Sequence, residues 1–175
     1  MEDVLSLAAA VVIVLALRQW AAELIRVKGS SMLSTLHNGD ILGVTRWDYR
    51  VHPPRRLNVV ICYYPGRYIR WKGKKLFRAC FVKRVIGLPG ETVELRDSEV
   101  HINGLPLAEP YLDPMKNRRL HNMPPVTLGE DEVFVLGDNR DNSNDSRRVG
   151  PLKLNMLRGH VRCVLFPPKH WRRMR

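Results

Sequence analysis

The sequence predicts a mainly β protein: a compact antiparallel β-sheet domain over residues 26–175, preceded by one N-terminal transmembrane helix over residues 1–25. Two observations carry this. The only long apolar run in the chain lies at its start, from Val4 to Leu17. Everything after it reads as short β-branched and aromatic runs bounded by turn residues. There is no internal repeat, no low-complexity tract and no second domain boundary, so one domain plus an appendage accounts for 175 residues.

The N-terminal run is about fourteen residues long, shorter than the roughly twenty that span a bilayer. Snorkelling by Arg18 and an interfacial Trp20 extend the expected span to Ile25. A cleaved secretory signal is the rival reading, but Glu2 and Asp3 occupy the place of its basic n-region. A buried core helix is the third. Arg18, Arg26 and Lys28 follow the run, and charge placement alone would keep the following domain in the cytoplasm.

Strands are expected at Asp40–Val44, Asn58–Tyr64, Phe81–Ile86, Thr92–Leu95, Val100–Ile102, Glu132–Leu136 and Gly159–Phe166. Asn103-Gly104 supplies hairpin-turn chemistry. The stretches Arg46–Arg56 and Gly66–Lys75 read as basic loops, and the proline-rich Pro106–Pro125 as a surface excursion.

Hydrophobic residues make up 45% of the chain, enough for a core, and the net charge is +12. So basic a protein suggests nucleic acid first and an anionic lipid surface second. No recognition helix, zinc finger or RNA-binding aromatic pattern accompanies the charge, which argues against nucleic acid. Cys62, Cys80 and Cys163 form no C-x-x-C and have no supporting histidine spacing, so neither a zinc site nor a disulfide pairing follows from them.

The candidate chemistry lies in three stretches. Gly29–Asp40 is hydroxyl-rich and follows directly on the apolar run, so a serine there would stand at the mouth of the anchor. A serine hydroxyl needs a base. The six histidines, His37, His52, His101, His121, His160 and His170, fall in loops or alternating strands, and none lies in an Asp-rich or small-residue setting. A Ser-His-Asp triad therefore gains no support, although triads assemble in space. Lysine serves as a base only when burial lowers its pKa. Lys83 lies among Phe81, Val82, Val85 and Ile86, and by alternation shares a face with Phe81 and Val85, opposite Arg84. Such a lysine either is functional or snorkels to the strand's edge. The third stretch, Gly137–Arg147, is a polar glycine-led loop.

Taken together, these stretches resemble the three boxes of type I signal peptidases, in the family's order. Ser31-Met32-Leu33-Ser34-Thr35-Leu36-His37-Asn38-Gly39-Asp40 resembles the nucleophile box, Phe81–Glu91 the lysine box and Gly137–Gly150 the Gly-Asp-Asn-Arg-Asp box. The resemblance implies a β-sheet catalytic domain of signal peptidase type and a membrane-bound serine endopeptidase. That enzyme would cut signal peptides from secretory preproteins after small residues, through an acyl-enzyme, without metal or organic cofactor. Ser31 matches the nucleophile and Lys83 the general base. Ser143 matches the hydroxyl that orients the amine, Asp145 and Arg147 a pair steadying the loop, and Asp138 and Arg84 a second ion pair. Residues such as Val27, Met32, Phe81 and Val82 would line shallow substrate pockets.

The chain departs from the family pattern at two places. Gly29 stands where some members carry a hydroxyl assisting the oxyanion hole, and Ser34 stands where proline is usual. The implied partners are preproteins and membrane lipids, not nucleic acid. The implied location is the cell membrane, single-pass, with the catalytic domain on the extracytoplasmic side. Two further readings remain: a self-cleaving Ser/Lys repressor-type protein, for which the chain lacks a DNA-binding domain and an Ala-Gly site, and a basic membrane-surface adaptor.

Overall fold

A computed structural model describes residues 23–45 and 53–174. The expected anchor therefore lies outside the described residues up to residue 22. Residues 23–25, expected to complete the span, instead belong to strand β1 (Glu23–Arg26), which pairs with β2 (Ile41–Thr45). Among the described residues, no helix is long and apolar enough to cross a membrane.

The remaining strands are β3 (Val59–Trp71), β4 (Lys74–Gly87), β5 (Thr92–Arg96), β6 (Glu99–Ile102), β7 (Leu105–Pro106), β8 (Met123–Thr127), β9 (Glu132–Leu136), β10 (Leu152–Lys153), β11 (Leu157–Phe166) and β12 (Arg172–Arg173). A four-residue helix, α1 (Ser146–Val149), begins at the end of the polar loop. The described strands form an eight-stranded sheet in the order β1-β2-β11-β3-β4-β9-β10, with β12 on β11, and a four-stranded sheet in the order β7-β6-β5-β8. Every pairing is antiparallel.

Two expected loops prove to be ordered. Gly66–Lys75 is the outer half of the β3–β4 hairpin, closed by Lys72-Gly73 with φ of 45° and 79°. Positive φ at both turn residues matches the strand twist, and glycine adopts it without a Cβ penalty. The lysines and arginines that suggested a loop lie on exposed strand with water on both sides. The proline-rich excursion ends in Met123–Thr127, which pairs with β5 as β8.

Alternation along the strands builds three apolar clusters. One face of the large sheet carries Leu42, Val44, Val59, Ile61, Val161 and Val164, and Val27, Met32 and Leu36 pack into this cluster. A second cluster gathers Val60, Cys62, Tyr64, Val85, Val133 and Val135, with Phe81 against them. The third joins the two sheets through Ile86, Phe134 and Leu136 on one side and Val93, Leu95 and Val100 on the other. The three cysteines are free, and burial pushes the Cys62 thiol up to about 12.

Candidate active site

Ser31 lies in the turn between β1 and β2. Residues on both sides of it are anchored apolar side chains: Val27 and Met32 are 5% and 2% exposed. Val27 also exchanges backbone bonds across the loop, donating to Asp40 O at 2.8 Å and accepting from Gly39 N at 2.9 Å. The serine itself stays partly accessible.

Lys83 is in the middle of β4, directly across from Val60 on β3. Alternation puts it on the face of Phe81 and Val85, within the second apolar cluster. It is 2% exposed, and its Nζ lies 2.7 Å from Ser31 Oγ and 2.9 Å from the Val82 carbonyl oxygen. Burial disfavours the charged amine and lowers its pKa from the ordinary 10.5, against the pull of nearby Cys62, Asp145 and Asp138.

The next strand, β9, delivers the polar loop. Gly137 follows it, and a Cβ there would meet Ser143 Oγ at 2.2 Å and the Ser31 carbonyl oxygen at 2.5 Å. Only a residue without a side chain lets this loop close on Ser31. Asp145 accepts from the Gly137 N–H at 3.1 Å and from Arg147 Nε at 2.8 Å. Burial works against its charge, but Arg147 and the Gly137 N–H outweigh it and hold the carboxyl below its usual range. Arg147 also donates to the Arg140 carbonyl at 2.8 Å.

Asp138 takes a bidentate bond from Arg84, Nε at 2.9 Å and Nη2 at 2.6 Å, with both side chains buried. Arg84 spends two further donors on Leu57 O and Thr35 Oγ1 and lies 3.8 Å from the centre of the Tyr111 ring. Four of its five N–H donors are therefore used.

Ser143 makes no hydrogen bond to the Lys83 amine. Its hydroxyl is buried beside the Asp145 carboxylate, makes no hydrogen bond of good geometry, and fills the space that a Cβ at Gly137 would need. Lys83 Nζ is instead held by Ser31 Oγ and the Val82 carbonyl. The four candidate pocket residues divide as well. Val27, Met32 and Val82 belong to one cluster, whereas Phe81 faces the other and stacks on Tyr64 at 4.2 Å.

Several site residues escaped the sequence reading. Asn139 donates its backbone N–H to the Ser31 carbonyl at 3.0 Å and its side-chain amide to the Ser30 carbonyl at 3.1 Å. Asn142 Nδ2 reaches Ser30 Oγ at 2.8 Å. Arg140, 3% exposed, pairs with Glu109, which also accepts from Tyr111. The asparagines lie inside a recognised stretch, but only the closure of two distant loops reveals what they bond. Ser34 donates to Asp113 at 3.2 Å, tying the loop to the proline-rich excursion.

A β-sheet domain holding a partly accessible serine against a buried, pKa-lowered amine has the equipment of a serine hydrolase. The family model "Signal peptidase, peptidase S26" matches residues 1–166. A probable signal peptidase I-1 from Synechocystis is 40% identical over 171 residues, covering 97% of this chain and 84% of that one. Signal peptidase I T from Bacillus subtilis is 36% identical over 166 residues, covering 90% and 81%. A crystal structure of a signal peptidase I from Enterococcus faecalis is 34% identical, covers 62% of this chain and 96% of that one, and has a TM-score of 0.48. The chain belongs to the peptidase S26 family of signal peptidases. It is accordingly a type I signal peptidase, a serine endopeptidase.

Proposed function

We propose that the chain removes N-terminal signal peptides from secreted preproteins after small residues, with Ser31 as nucleophile and Lys83 as general base. The observation that carries the reading is the 2.7 Å separation of Ser31 Oγ from an amine that burial drives toward its neutral form. Neutral Lys83 takes the Ser31 proton as Oγ bonds to the scissile carbonyl carbon. The ammonium then returns that proton to the leaving amine as the C–N bond breaks, leaving an acyl-serine. Water, losing a proton to the same amine, cleaves the ester and frees Ser31. The Ser31 backbone N–H is the donor offered to the oxyanion, and Gly29 adds no hydroxyl.

Ser143 is retained as a positioning residue, its buried hydroxyl having donor capacity to spare beside the nucleophile loop. Asp145–Arg147 and Asp138–Arg84 hold the loop and strand that carry the dyad. Val27, Met32, Phe81 and Val82 shape shallow pockets for small side chains. Strand β1 supports an extended substrate: it ends the large sheet, and its sequence runs straight into the nucleophile loop. An N-terminal anchor ahead of β1 (Glu23–Arg26) would put Ser31 at the membrane surface, where a preprotein's cleavage site emerges. The catalytic domain then faces the extracytoplasmic side, and the exposed basic β3–β4 arm meets anionic lipid.

The test is preprotein cleavage by detergent-solubilised wild type, Ser31→Ala and Lys83→Ala. Both variants are expected to fold and to lose cleavage. Near-normal activity in either overturns the dyad. A folded wild type inert on every preprotein favours a membrane-surface adaptor.

A further inference from the structure

Three residues outside the dyad converge on a second site that the peptidase chemistry does not use. Asp40, 1% exposed, closes the nucleophile loop, while His170 comes from the turn preceding β12, 130 residues further along the chain. His170 Nδ1 lies 2.8 Å from Asp40 Oδ1. The other carboxylate oxygen accepts the His37 backbone N–H at 2.9 Å and lies 4.0 Å from His37 Nδ1. The His37 and His170 rings stack with centroids 4.5 Å apart and planes at 30°. One ligand-capable atom from each residue lies within 4.8 Å of the other two.

An ordinary His–Asp pair needs only His170. The second imidazole, stacked on the first with a nitrogen near the same carboxylate, is what such a pair leaves unexplained. Two imidazoles and one carboxylate form a nitrogen-rich set that suits zinc and neighbouring transition metals, not calcium or magnesium, which take oxygen ligands. Tetrahedral zinc with bonds of about 2.0–2.1 Å needs its ligand atoms roughly 3.3 Å apart. Rotation of the two partly exposed rings supplies that contraction. The carboxylate is already oriented by the His37 N–H, and the Asp40 backbone is fixed at both ends: its N–H donates to His37 O and its carbonyl accepts from Val27.

We propose that His37, Asp40 and His170 form a zinc-class metal site with its fourth position open to water, clamping the C-terminal turn onto the nucleophile loop. No metal was expected, because the family resemblance calls for none. The fold alone brings them together.

The probe is zinc chloride, titrated into the detergent-solubilised full chain by calorimetry, with bound metal counted by mass spectrometry. One saturable zinc per chain is expected, with an accompanying rise in Tm. His37→Ala and His170→Ala should each lose both responses. His37→Ala leaves the Asp40–His170 bond in place, so its loss of zinc cannot be put down to a broken turn. Cys80→Ser, which removes an exposed thiol, should bind zinc as wild type does. Ser31→Ala should also bind normally, which separates this site from the peptidase reading. Absence of saturable zinc overturns the proposal. So does undiminished binding in either histidine variant, or loss of binding in Cys80→Ser.

Discussion

A lysine amine becomes a base only when it has lost its proton, and burial is what drives the proton from Lys83. The activity consequence is a rising limb in kcat/KM, set by a pKa below 10.5. A limb at or above the ordinary lysine value would remove Lys83 from the base role. The stability consequence has a definite sign. The unfolded chain keeps its proton up to the ordinary pKa while the folded chain releases it earlier, so between those two values the unfolded state binds more protons and stability rises with pH. Lys83→Met removes this cost with little change of volume. It should abolish cleavage while leaving Tm at neutral pH at or above wild type, measured by thermal melts. At Gly137 the argument is steric. One obstructing atom is the Ser31 carbonyl oxygen, which cannot swing aside as a flexible side chain would. Gly137→Ala should displace the nucleophile and lower kcat about 10²-fold, with a smaller change in KM.

At the scale of elements, the site depends on β4 and the loop after β9 keeping register. Arg84 on β4 holds Asp138 in that loop by a buried bidentate pair. Breaking one side leaves an uncompensated buried charge, so Asp138→Ala should cost about 3–5 kcal/mol in denaturant unfolding. A cost under about 1 kcal/mol would mean the pair is no clamp. The asparagine bonds to Ser30 and Ser31 do a different task, since they fix the nucleophile loop without supporting a core. Asn142→Ala, at an exposed position, should therefore reduce kcat with Tm nearly unchanged. The outer β3–β4 hairpin belongs to neither category. Ile69 and Phe77 are 55% and 70% exposed and contribute nothing to the three clusters.

At the scale of the whole molecule, that arm projects apolar side chains among Arg67, Arg70, Lys72, Lys74, Lys75 and Arg78. Interleaved apolar and cationic side chains suit an anionic bilayer surface. Ile69→Ser with Phe77→Ser should weaken sedimentation of the chain with phosphatidylserine vesicles and leave cleavage of a soluble peptide intact. Equal sedimentation of variant and wild type would assign the arm another partner.

What the sequence by itself determined is local: period-two alternation, turn chemistry and the three boxes require only neighbours along the chain. It therefore indicated most strands and the face Lys83 would share with Phe81 and Val85. It misread Gly66–Lys75, because strongly charged strand and charged loop look alike when neither face is buried. Tertiary structure alone decided what depends on segments meeting. The 2.7 Å approach of Lys83 to a serine 52 positions away is one such outcome. The Ser143 hydroxyl against Gly137, the asparagine bonds to Ser30 and Ser31, and the convergence of His37, Asp40 and His170 are others. A distance across a fold depends on how sheets pack and loops close, and no periodicity within one segment encodes it.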